Sequence, residues 1–304
     1  MTTHDNAPES PLGPLRAVTF AVADTQAWAE HYREHLGYQT RAERSVTEEE
    51  AIGWGTPGVA GRKMVILQAQ SGQGPVLRSV EQADYEPPAP FRTLGWNAAE
   101  LIVEDIYALA DTLAGSPFKI IGPPQVLDFD FTDKISAMQV VGPDQEVLYL
   151  TSVAGDVPGF DLPQAQSFVG HAFITILGGE SLDSLGAFFL QRFGRSAGPA
   201  ITTKIGVLAN AYGHDPAQTY DISTVALPGS CVVEIDAFPP EATLRSPPPG
   251  LLPGPMALVS YLVDDLSPYE TEAIGPVYPN DHGKALTLSG PAGALFELVQ
   301  GHID

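Results

Sequence analysis

The sequence predicts an α+β protein: four βαβββ modules paired into two domains, each a curved mixed sheet around a cavity with helices outside. Three observations predict it. Four segments, near residues 12–83, 92–153, 167–238 and 254–304, open on a strand followed by a helix. The last three close on two strands joined by a tight Gly/Pro turn. Proline-rich runs separate the segments: DYEPPAPF from Asp84, VPGFDLP from Val157 and FPPEATLRSPPPGLLPGP from Phe238. Such runs continue neither a helix nor a central strand.

In segment one, Val18, Phe20 and Val22 alternate as one strand face, and Asp24 or Thr25 can cap the helix that follows. Trp28, Tyr32 and Leu36 line one face of that helix and Gly37 ends it. The closing strands are the least regular: KMVILQA, a Gly-rich turn, then PVLRSV. In segment two, Leu101 and Val103 alternate, then Ile106, Leu109, Ala110 and Leu113 form a helical stripe, and VVGPDQEVLYLTS closes. Segment three repeats this with Ala172, Ile174 and Ile176, then Leu182, Leu185, Phe189 and Phe193, closing on VALPGSCVVEIDAF. Segment four opens ALVSYLVDDLSPYETEA, with a weaker and shorter helix, and closes LSGPAGALFELVQ. A single module would leave a sheet face bare, so modules pair. The expected division is a flexible tail at 1–11, an N-terminal two-module domain at 12–153, a linker at 154–166 and a C-terminal two-module domain at 167–304.

Composition narrows the function classes. The 304 residues carry 15 Lys plus Arg against 37 Asp plus Glu, a net charge of −22, although only 17% are charged and 44% are hydrophobic. A field this negative repels phosphate backbones and anionic lipid, which argues against nucleic-acid and membrane partners. Cys231 is the only cysteine, so no intrachain disulfide forms. The first residues lack the basic and apolar regions of a secretory signal, and no run reaches the roughly 18 apolar residues of a membrane helix. A cytoplasmic location is expected. No P-loop, no GxGxxG after a strand, no GxSxG and no zinc-finger spacing occurs, which leaves nucleotide cofactors and serine hydrolysis without support. The expected partner is a small-molecule substrate, and the chain is expected to be a monomer or homodimer.

The arrangement resembles the vicinal oxygen chelate superfamily, which includes glyoxalase I, the bleomycin-resistance proteins, the epimerases of methylmalonyl-CoA type and the extradiol ring-cleavage dioxygenases. The residues that carry the resemblance are Val18 to Tyr38, GPDQEVLYL from Gly142 to Leu150, the strand at His171, CVVEID, and GPAGALFEL from Gly290 to Leu298. The resemblance implies two metal-ligand positions in each module. One opens the first strand; the other is a Glu between apolar residues on the last. These positions fall on Ala17 in segment one, Ala98 and Tyr149 in two, His171 and Glu234 in three, and Leu258 and Glu297 in four. The N-terminal domain is thereby expected to hold no metal. His171, Glu234 and Glu297 are expected to share a divalent cation: Fe, Mn, Zn, Ni or Co.

Strand parity points the same way. With Ala172, Ile174 and Ile176 on the helix, His171, Phe173 and Thr175 face a cavity. Val233 and Ile235 leave Glu234 inward, and Phe296 and Leu298 leave Glu297 inward. An ionisable residue in an apolar strand needs a partner. Phe173, Ser260, Tyr261 and His282 are the candidate substrate contacts, with His214 and His302 as further loop candidates; Glu234 and Glu297 are the candidate bases. An extradiol enzyme would carry a second His where Leu258 stands. The leading expectation is therefore a glyoxalase-like lyase or isomerase, its metal polarising substrate oxygens and a Glu moving a proton. The alternatives are a dioxygenase acting on a catechol-like aromatic, and a metal-free antibiotic or small-molecule binding protein.

Overall fold

The computed structural model describes residues 11–127 and 129–301. Segment one forms β1 (Leu15–Val22), α1 (Thr25–Leu36), β2 (Gln39–Ser45), a short α2 (Glu48–Gly53), β3 (Lys63–Gln68) and β4 (Val76–Glu81). Segment two forms β5 (Gly95–Val103), α3 (Ile106–Leu113), β6 (Lys119–Val126), β7 (Ile135–Val141) and β8 (Val147–Val153). Segment three forms β9 (Val169–Gly179), α4 (Leu182–Phe193), β10 (Ile201–Lys204), α5 (Gly206–Tyr212), β11 (Thr219–Leu227) and β12 (Cys231–Ala237). Segment four forms β13 (Met256–Val263), β14 (Tyr278–Asn280), β15 (Gly283–Ser289) and β16 (Leu295–Gln300). Its helix is reduced to a 3-10 turn at Ser267–Glu272, where Tyr269 alone is buried and no apolar stripe exists to seat a longer helix.

Local chemistry sets the helix ends. The Asp24 carboxylate accepts from the Gln26 and Ala27 amides, and Asp105 does the same for Tyr107 and Ala108. Gly37 and Gly194 close α1 and α4 at φ 70 and 63, a conformation that favours glycine.

In every module the first strand runs parallel to the last: β1 to β4, β5 to β8, β9 to β12 and β13 to β16. Modules then join through antiparallel first strands, β1 with β13 and β5 with β9. The result is two eight-stranded sheets, β14-β15-β16-β13-β1-β4-β3-β2 and β10-β11-β12-β9-β5-β8-β7-β6. Segment one thus partners segment four, and two partners three. This corrects the division into domains at 12–153 and 167–304. Each first strand offers a similar free edge, and the pattern inside a module does not say which edge meets which. Residues 154–166 connect strands of one sheet; the chain crosses between sheets at 82–94 and 238–255. Arg245 ties both crossings down. Its Nε donates to Thr93 Oγ1 at 3.0 Å, its Nη1 to the Pro253 carbonyl at 2.8 Å, and its Nη2 to the Trp96 carbonyl.

One central core joins the helix-bearing faces of both sheets, with Trp28 and Tyr32 of α1, Leu109 of α3 and Phe189 of α4. Glu146, in the β7–β8 hairpin, stitches the halves together by accepting from Trp28 Nε1 at 3.0 Å and Tyr32 Oη at 3.1 Å. The opposite face of each sheet carries its own apolar cluster and its own cavity. No helix among the described residues is long and apolar enough to cross a membrane. Apart from Pro11, the tail at 1–11 lies outside the described residues, as does His302.

Candidate functional site

The larger cavity, about 420 Å³, lies on the β5–β12 sheet. Its floor holds acids set in apolar strands. Glu100 of β5 stands in register with Tyr149 of β8 and Ile174 of β9. Glu234 and Asp236, two residues apart on β12, share the same face, as strand alternation requires. Glu100 and Asp236 are 7% and 2% exposed. Asp236 Oδ1 has no hydrogen-bond partner among the described residues. Burial pushes Glu100 up to about 7, and burial plus the Glu100 charge pushes Asp236 up to about 7. Burial, then the Asp236 and Glu100 charges, lifts Glu234 well above the ordinary carboxyl range. The three titrate as a set that retains protons near neutrality. Phe129, Phe131 and Phe160 wall the cavity as a stacked run, with centroids 5.1 and 5.5 Å apart.

The smaller cavity, about 250 Å³, lies on the other sheet. At its floor Glu297 is fully buried. It meets Arg78 Nη2 at 2.8 Å and accepts from Tyr278 Oη at 2.7 Å, Trp54 Nε1 at 3.0 Å, Asn280 Nδ2 at 3.3 Å and the Ser260 hydroxyl. Arg78 in turn donates to Thr19 Oγ1 at 2.8 Å and Ser260 Oγ at 2.7 Å. Burial alone would raise the Glu297 pKa. The Arg78 charge and the hydrogen bonds from Ser260, Tyr278 and Arg78 reverse that and hold it at about 2.

The residues expected to gather at one metal therefore separate. Glu297 belongs to one cavity and Glu234 to the other, because their modules lie in different sheets. His171 lines neither; its ring packs against Gly74 of the β3–β4 turn, leaving no space for a Cβ there. Register shifts in β9 against β5 cause part of this change. They put Phe173, Ile174 and Ile176 in the cluster on the cavity side. Thr175 turns to the central core, its hydroxyl 2.7 Å from Tyr261 Oη. Phe173 thus lines the larger cavity, whereas Ser260 and His282 line the smaller. Tyr261 faces away from both, since alternation puts it opposite Ser260. His214 pairs with Tyr220 at 3.0 Å, apart from either cavity. Glu100, Asp236 and Arg78 escaped sequence reasoning. Glu100 in AAELIV shows the same signal as Glu234, an acid inside an apolar strand.

No family model and no curated protein matches the chain. Solved structures do. Glyoxalase I from Zea mays superposes with TM-score 0.62 at 15% identity, covering 94% of this chain and 92% of that one. A proposed dioxygenase from Bacillus subtilis superposes with TM-score 0.63 at 11% identity, covering 95% and 86%. The chain has the vicinal oxygen chelate fold. A fold of this kind hosts many chemistries, so residues decide what each site does. At the positions the resemblance assigns to metal ligands, the larger cavity offers Ala98, Tyr149 and Glu234, and the smaller offers Ala17, Leu258 and Glu297. Each set has one carboxyl and no imidazole. Among the described residues no three His, Cys, Asp or Glu side chains are grouped to hold a metal ion. The side chains present do not fit the metal that the resemblance implies.

Proposed function

We propose that this protein of the vicinal oxygen chelate fold binds a small organic cation, an amine carried on an apolar and stackable body, in the larger cavity and without a metal. One observation carries the reading. Glu100 and Glu234 line the cavity, Asp236 is coupled to both from the same strand face as Glu234, and although Lys204 also lines the cavity, no ion pair among the described residues compensates these acids. Desolvated carboxylates favour a cation, and a ligand ammonium supplies one. The stacked phenylalanines offer the body a face. This corresponds to the small-molecule-binding alternative rather than the metal-dependent lyase, isomerase or dioxygenase. A second reading, proton transfer on the bound ligand, is favoured by Glu100 and Asp236 both lying at about 7. One could give a proton while its neighbour takes one.

Calorimetry with 2-phenylethylamine, 2-phenylethanol and 3-phenylpropionate tests the proposal. The amine should bind preferentially, persist in chelator, and weaken about tenfold in Glu234→Gln. Equal binding of the alcohol or acid, or a requirement for added divalent metal, overturns it.

A further inference from the structure

The smaller cavity concentrates the rarest charge in the chain. Four of the 15 basic residues, Arg16, Arg41, Arg44 and Arg78, line it, in a protein of net charge −22. Two are already matched. Arg44 grips Glu50 with both nitrogens, at 2.7 and 2.6 Å, and meets Asp281 at 3.2 Å; Arg78 is paired with Glu297. The other two are not. Among the described residues Arg41 reaches only Gln68, at 3.5 Å, and Arg16 keeps a buried Nε without a hydrogen-bond partner. Four guanidinium groups thus face three carboxylates, Glu50, Asp281 and Glu297, leaving one positive charge. His282 senses this surplus: burial first, then Arg16 and Arg41, with Arg78 adding, hold its pKa below the usual imidazole value against the pull of Asp281. The remaining lining includes Ile66, Val76 and Val299, an apolar surface beside the charge.

We infer that the smaller cavity is a second ligand site, separate from the amine site, that takes a small organic monocarboxylate: its carboxylate held by Arg16 and Arg41, its short hydrocarbon part against Ile66, Val76 and Val299. A single carboxylate matches the single surplus charge, and guanidinium forks suit its planar pair of oxygens. Arg78 and Glu297 supply the rigid floor. Because they neutralise each other, Arg16 and Arg41 set the preference for an anion. The inference is independent of what the larger cavity binds.

Butyrate, butylamine, butanol and inorganic phosphate are the probes, titrated calorimetrically into the full chain. Butyrate should bind, more weakly as salt rises. Its affinity should fall about tenfold in Arg16→Gln and in Arg41→Gln. Both variants should keep the wild-type unfolding temperature without ligand, which separates lost binding from lost folding. By NMR, butyrate should move the His282 titration to higher pH, because it offsets the guanidinium field. Unchanged affinity in both variants, binding of no probe, or phosphate binding as tightly as butyrate overturns the inference.

Discussion

Glu234 and Glu297 stand at matching places, each in the last strand of its module and each facing a cavity. Their surroundings are opposite. Glu297 has Arg78 and a ring of donors and stays ionised down to about 2. Glu234 has Asp236 and Glu100 beside it and holds its proton well beyond the usual range. The same residue on the same scaffold is a fixed anion in one half and a proton carrier in the other. Backbone geometry sets where a side chain points. Strands further across the sheet set what it is worth: β4, three strands away, contributes Arg78 to Glu297, while β5, two strands away, contributes Glu100 to Glu234.

The comparison can be broken by stability measurements. Glu297→Ala leaves Arg78 buried without its partner and should cost about 3–5 kcal/mol in urea unfolding. Replacing both Arg78 and Glu297 by Met should recover much of that loss, since neither charge is then left unpaired. Glu234→Gln should do the reverse and stabilise by about 1–2 kcal/mol at pH 8, because it relieves a crowded and desolvated carboxyl. Loss of stability in both single variants would end the distinction.

The pH dependence sharpens it. Glu100 and Asp236 at about 7, and Glu146 at about 8, bind more protons folded than unfolded. Their influence therefore makes stability fall as pH rises from about 4.5, the ordinary Glu value, through 8. Glu297, held at about 2, acts oppositely: its contribution is full above the unfolded value near 4.5 and is lost as pH drops toward 2. Urea unfolding across pH 3 to 9 should give a maximum near pH 4–5, roughly where the two influences cross. The Glu234→Gln gain should vanish at acid pH, where the wild-type carboxyl is protonated in both states. The smallest effects test where the halves are alike. Asp24→Ala and Asp105→Ala each remove a two-amide cap and should each cost about 1 kcal/mol. Markedly unequal losses would show that even the repeated helix starts have diverged.

Much of the fold was legible locally. The strand-then-helix openings, the closing hairpins, the cap at Asp24 and the inward direction of Glu234 and Glu297 depend on residues a few positions apart. The β9 face was not legible, because its register shifts come from pairing with β5. Those shifts moved Ile174 to the cavity side. Arg78 was also out of reach: nothing in PVLRSV says that its strand lies two strands from Ser260 and three from Glu297.

The sequence by itself therefore determined four modules of one kind, with acids placed at repeated inward positions. Only the tertiary structure decided that module one pairs with four and two with three, and so which acids share a cavity. Pairs such as Ala17 with Ser260 join residues far apart in the chain. Edge pairing is non-local, and the periodicity of a strand describes its faces and not its neighbour.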